Sequence, residues 1–139
     1  MAAELQLRRT LAAPQDQVWQ ALTDPAALAA WFWPARFRTI AEVDLRPGGR
    51  YRIAGPGAEI GVSGQYQAVL PPRLLAFTWQ WDGEEQQTLV TADLTATGAD
   101  TDLLLTHSEF AAEADRDNHV QGWSDCLDRL PAWLACRSQ

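Results

Sequence analysis

The chain has no lysine: all eleven of its basic residues are arginines. That absence excludes Schiff-base chemistry, which needs a lysine amine. Positive charge is scarce as well, because eighteen acidic residues leave a formal net charge of −7. A surface of that sign argues against nucleic acid and against insertion at an anionic membrane, both of which require basic patches. Cysteine is limited to Cys126 and Cys136. Both fall in one helical stretch, where ten residues rise roughly 15 Å, beyond disulfide reach. They read as free thiols of a reducing, cytoplasmic compartment. Histidine is limited to His107 and His119, and no Cys/His cluster has metal-ligand spacing. No metal or other cofactor is therefore expected. No apolar run reaches transmembrane length, and no charged-then-apolar leader opens the chain. Ser63, Ser108 and Ser124 lack a nucleophile-elbow context, and Gly48-Gly49 reads as a turn rather than a phosphate cradle.

What is present is enough for a core. The 139 residues suit one domain, 1–139, which at this size buries roughly two-thirds of its unfolded surface. Residues 4–11 alternate and read as a strand. Ala13-Pro14 opens a helix with Val18, Trp19 and Leu22 on one stripe, and Thr23-Asp24-Pro25 ends it and begins a second short one with Leu28 and Trp31. From Phe37 to Phe110 the pattern is β: residues 38–45, 50–54, 59–69, 73–81, 86–97 and 101–109. The connections Arg46-Pro47-Gly48-Gly49, Pro71-Pro72, Asp82-Gly83 and Gly98-Ala99-Asp100 are short turns, so neighbouring runs pair antiparallel. Residues 113–136 return to helical spacing, with Val120, Trp123, Leu127, Leu130 and Leu134 on one stripe and Pro131 expected to kink or loosen it. A long amphipathic helix and a half-buried sheet each need a partner. The economical arrangement lays the helix across the concave face of the sheet.

Ordered pieces along the chain carry a resemblance. They are Ala-Pro-Gln-Asp-Gln-Val-Trp at 13–19, Leu22-Thr23-Asp24-Pro25, Trp31 with Trp33-Pro34, and Asp44-Leu45-Arg46-Pro47-Gly48-Gly49. Further on come Gly64-Gln65-Tyr66, Pro71-Pro72-Arg73-Leu74, Phe77-Thr78-Trp79, Thr88-Leu89-Val90-Thr91, the alternating Thr101, Leu103, Leu105 and His107, and Gly122-Trp123. The set resembles the SRPBCC (START-like, Bet v-type) superfamily, within it the branch named after the activator of heat-shock-protein-90 ATPase. The resemblance implies an α+β helix-grip fold: a curved antiparallel sheet around a long C-terminal helix, with two short helices after the first strand. It also implies a cavity between sheet and helix, which in many members holds apolar ligands. In some wider members that cavity cyclises or dehydrates polyketides, and others act with a chaperone.

The candidate site residues follow from facing and chemistry. His107 continues the Thr101, Leu103, Leu105 face, and Glu109 follows two residues later, so the pair reads either as an oriented base or as a satisfied core-edge histidine. His119, one turn before Trp123, reads as a cavity-mouth or a surface residue. Seven tryptophans are many for this length. Trp31, Trp33, Phe77, Trp79 and Trp123 are expected to wall the cavity, with Trp81 on the Trp79 face, while Trp19 and Trp133 read as packing. Tyr51 and Tyr66 are inward phenols. Arg52 reads either as a clamp for a ligand carboxylate or, with Asp44, Arg46 and Arg50, as part of an exposed hairpin with weak ion pairs. Glu84-Glu85 reads as a solvated loop tip.

Three functions compete. The first is a module binding a small apolar, amphipathic or aromatic ligand, oriented by His107, Tyr66 and Arg52. The second is a cyclase, dehydratase or hydrolase with His107 as base. The third is a protein-interaction module, a homodimer or chaperone partner, using an exposed Trp31-Phe32-Trp33 patch.

Overall fold

The computed structural model describes residues 3–137. Strand β1 (Ala3–Leu11) is followed by helices α1 (Gln15–Thr23) and α2 (Pro25–Trp31) and a short 3-10 turn at Ala35–Phe37. Six strands follow: β2 (Ile40–Val43), β3 (Arg50–Gly55), β4 (Ile60–Leu70), β5 (Leu74–Trp81), β6 (Thr88–Thr97) and β7 (Asp100–Phe110). Helix α3 (Glu113–Arg137) ends the described chain. The strands form one antiparallel sheet in the order β1-β7-β6-β5-β4-β3-β2, so every pair except β1–β7 joins neighbours in sequence. This is the α+β helix-grip architecture that the resemblance implied, with the long helix across the sheet as the pattern predicts.

Local chemistry sets the ends of the helices. Asp24 caps α2 by accepting from the Ala27 amide at 2.9 Å, with Pro25 in the first helical position. The other end of α2 is held by Arg129 of α3, which donates to the carbonyls of Trp31 and Phe32 at 3.2 and 2.8 Å. An arginine on the last carbonyls of a helix satisfies acceptors that have no partner within the helix. Thr101 donates to the Ala13 carbonyl and Gln15 to the Leu94 carbonyl, which ties the start of α1 to the sheet.

The core lies between the sheet and the helices. Along β7, Thr101, Leu103, Leu105 and His107 are all buried on one face, as strand alternation requires. On α3 the buried stripe is Trp123, Cys126, Leu127, Leu130 and Leu134. Val120, expected on that stripe, is instead 36% exposed. Its turn of α3 borders an open cavity, lined there by His119 and Gly122, and not the packed core. The helix assignment continues through Pro131, which lies on the exposed side. Backbone approach of α3 to the sheet is mainly at β1 and lighter at β7. Toward β5 and β6 large side chains span the gap.

Gly64 of β4 sits opposite Tyr51 in the β3–β4 pairing. The Tyr51 hydroxyl donates to the Thr78 carbonyl at 2.5 Å, and a Cβ on residue 64 would fall on that same carbonyl oxygen. Gly64→Ala is therefore expected to lower unfolding stability by about 1–3 kcal/mol, the usual cost of forcing extra volume into a packed site. Urea unfolding checks this, and an unchanged midpoint would show that the strands have room to part.

Candidate functional site

The described residues enclose a larger space between the sheet and α3 and a smaller one between the sheet and helices α1 and α2, beside Trp123 of α3. The larger, about 340 Å³, is walled by Phe32, Trp33, Trp79, Trp81, Phe110 and Trp123, with Thr88 and Cys126 deeper and Glu84, Gln86, Asp115, Asn118, His119 and Gly122 completing it. The smaller, about 30 Å³, is lined among others by Leu22, Tyr51, Tyr66, Leu75, Phe77 and Leu105. Phe32, Trp79 and Trp123 line both and so stand between them. The smaller space has room for about one water. The larger falls in the lower range of small-molecule pockets.

Two hydrogen bonds join the sheet side and the helix side of this region. Trp123 of α3 donates its indole N–H to His107 Nδ1 of β7 at 2.9 Å. Trp81 of β5 donates its own to His119 Nε2 of α3 at 2.9 Å. An indole can only donate, so each contacted imidazole nitrogen must be an acceptor. His107 therefore carries its proton on Nε2, which lies 2.6 Å from Thr88 Oγ1, and Thr88 passes its own hydrogen to the Trp79 carbonyl at 3.2 Å. His119 carries its proton on Nδ1, 2.7 Å from the Asp115 carbonyl. The two imidazole rings meet edge to face, with centroids 5.0 Å apart, and Phe110 packs on both.

His107 is fully buried with both nitrogens bonded inside the protein. Burial, with His119 adding to it, pushes its imidazole down to about 3. It does not line either space. The geometry is that of the satisfied core histidine and not of an available base. Glu109 does not orient it: the backbone at Glu109 turns to φ 71°, which leaves Glu109 exposed and turns Phe110 inward instead. One residue in this left-handed conformation breaks the alternation on which the His–Glu pairing depended.

Other expected positions are also corrected. Arg52 lies on the outer face of β3 and makes a two-pronged ion pair with Asp82 at 2.8 and 2.7 Å, so it cannot clamp a cavity ligand. That pair holds the Asp82 carboxyl below its usual range. Trp31 lines neither space; its N–H donates to the Ala21 carbonyl at 2.8 Å and packs α2 on α1. Tyr66 and Phe77 border the smaller space alone, and burial raises the phenols of Tyr51 and Tyr66. Trp33, Trp79 and Trp123 do line the larger cavity. The Trp31-Phe32-Trp33 segment is not an exposed patch, since Trp31 and Phe32 are 2% and 5% exposed.

The residues missed are Phe32, Glu84, Phe110 and most of a face of α3, on which His119 alone had been read as a cavity-mouth candidate. Asp115, Asn118, His119, Gly122 and Cys126 recur at three- and four-residue spacing. That spacing was the available signal. The Cys126 thiol is pushed up by burial, which makes it a poor nucleophile. Among the described residues no group of His, Cys, Asp or Glu could hold a metal ion, and no helix is long and apolar enough to cross a membrane.

The imidazole of His107 gives a pH prediction with a definite sign. In the unfolded chain it titrates near 6.5, and in the fold near 3, so between these values the unfolded state binds more protons. Its contribution is fully present above about 6.5 and is lost progressively as pH falls toward 3. The urea midpoint should drop between pH 7.5 and pH 4.5, and His107→Gln should show a smaller drop from a lower starting point. Equal pH dependence in both proteins would mean that another group controls acid sensitivity.

Comparison with known proteins agrees with this geometry. The family described as "Activator of Hsp90 ATPase homolog 1-like protein" matches residues 12–135. No curated protein matches the chain. Among solved structures, CalU16 from Micromonospora echinospora is 30% identical, with a TM-score of 0.77 over 96% of this chain and 76% of its own. CV1439 from Chromobacterium violaceum is 25% identical, with a TM-score of 0.81 over 94% and 96%. DynU16, a protein of the dynemicin biosynthetic locus, is 25% identical, with a TM-score of 0.82 over 95% of this chain and 47% of its own. With the family matched over most of its length and the helix-grip architecture in place, the chain belongs to the activator of Hsp90 ATPase homolog 1-like family of the SRPBCC superfamily.

Proposed function

We propose that this protein binds a small, largely apolar or amphipathic molecule in the larger cavity between β5, β6 and α3. The observation that carries the reading is a space of about 340 Å³ walled by six aromatic side chains with a polar rim. Unfilled aromatic volume of that size forfeits packing that an apolar occupant restores. The similarity to a protein of a biosynthetic locus fits handling of a small organic molecule.

Binding is favoured over catalysis because the two histidines and the cysteine of this region are all engaged or buried. His107 and His119 each have both nitrogens bonded, and Cys126 is buried with a raised thiol. Covered Trp31 and Phe32 remove the apolar patch that motivated a protein partner. Two free cysteines fit a reducing compartment.

Tryptophan fluorescence titrated with apolar aromatic molecules tests the reading. Saturable quenching at micromolar ligand is expected, weakened about tenfold or more in Trp33→Leu, since a buried aromatic contact contributes on the order of 1.5–3 kcal/mol. Trp33 is half-buried and its substitution should leave the fold intact. A panel without any saturable response, or unchanged affinity in both Trp33→Leu and Trp81→Leu, would overturn the proposal.

A further inference from the structure

We infer that the cavity is built for a cation: a compact organic amine or quaternary ammonium carried on an apolar body. The inference rests on the binding reading above and specifies the chemistry of its occupant. It comes from what lines the space and from what is missing there.

The walls are aromatic rings, and the face of an aromatic ring is the negative end of its quadrupole. Glu84, on the β5–β6 turn, and Asp115, on the first turns of α3, approach the cavity from the sheet and from the helix. Neither is in an ion pair among the described residues, whereas Asp44, Asp82, Asp117 and Asp128 each face an arginine. Among the described residues no arginine side chain lines the cavity. His119 has both ring nitrogens engaged, Nε2 with Trp81 and Nδ1 with the Asp115 carbonyl. Gln86 and Asn118, the remaining polar side chains near the rim, are uncharged.

One feature has the opposite sign. The N-terminal end of α3 is near, and a helix N-terminus carries roughly half a positive charge. Its first turn holds both Glu113 and Asp115, which outweighs that partial charge. An anionic amphiphile would meet two carboxylates, a negative ring surface and no cationic donor. An ammonium group would meet favourable partners on every side, in a partly enclosed space where salt screens them less than at an open surface.

A matched set of probes separates this inference from the binding reading. Benzyltrimethylammonium, its neutral carbon isostere neopentylbenzene, and the anion 4-phenylbutyrate are compared by titration calorimetry at low and at physiological salt. The cation is expected to bind about tenfold or more tightly than the neutral isostere, with the anion weakest. The preference should shrink severalfold in the Glu84→Gln, Asp115→Asn double variant, both changes lying at polar rim positions. A neutral or anionic probe binding as tightly as the cation would overturn the inference and leave the cavity as a binding site. A cation preference untouched by the double variant would overturn the role of the carboxylates. Absence of binding by all three would overturn both the inference and the reading it rests on.

Discussion

An indole N–H can donate a hydrogen bond and cannot accept one, and much of this site depends on that asymmetry. Trp123 and Trp81 point their N–H groups in opposite directions across the gap between sheet and helix, one from α3 to β7 and one from β5 to α3. Each forces its histidine into a single neutral tautomer, and each tautomer fixes the next bond, to Thr88 in one case and to the Asp115 carbonyl in the other. The helix is thus attached to the middle of the sheet by polar bonds at the tips of large rings. Those rings hold the two layers apart while joining them, and the cavity occupies the space that remains.

Much of the fold was legible because its signals are local. Turn sequences, proline and glycine positions and strand alternation placed the elements within a few residues of where they lie. The concave face was readable along β7 as far as His107. It failed two residues later, since nothing in the sequence around Glu109 announces a left-handed backbone, and one such residue reverses the facing of the positions after it. Arg52 is a different case. Two readings stood side by side for it, a clamp for a ligand carboxylate and an exposed hairpin ion pair, and alternation from Tyr51, which puts it outside, agrees with the second: its partner is Asp82.

Which tryptophans wall the cavity depends on tertiary detail that composition does not encode. Trp31 and Trp33 are two residues apart, yet one is spent on packing α1 against α2 and the other reaches the cavity. The Arg129 contacts at the end of α2 decide where the helix stops and so where Phe32 and Trp33 are delivered. The helical face that completes the site is polar toward its start and apolar further on. Searching only for an apolar stripe overlooks Asp115 and Asn118.

Gly122 gives the architecture an adjustable dimension. It stands in the middle of α3, where glycine costs roughly 1 kcal/mol relative to alanine, and it borders the cavity. A Cβ built there meets nothing within 4 Å. The helix thus gives up some intrinsic stability at a position where the fold has no steric need for glycine, and the result is a wider opening. Residue 122 acts as a gauge for the bore of the cavity: side chains of graded size there would narrow the entrance stepwise without disturbing the tryptophan–histidine bonds or the buried stripe one residue further along.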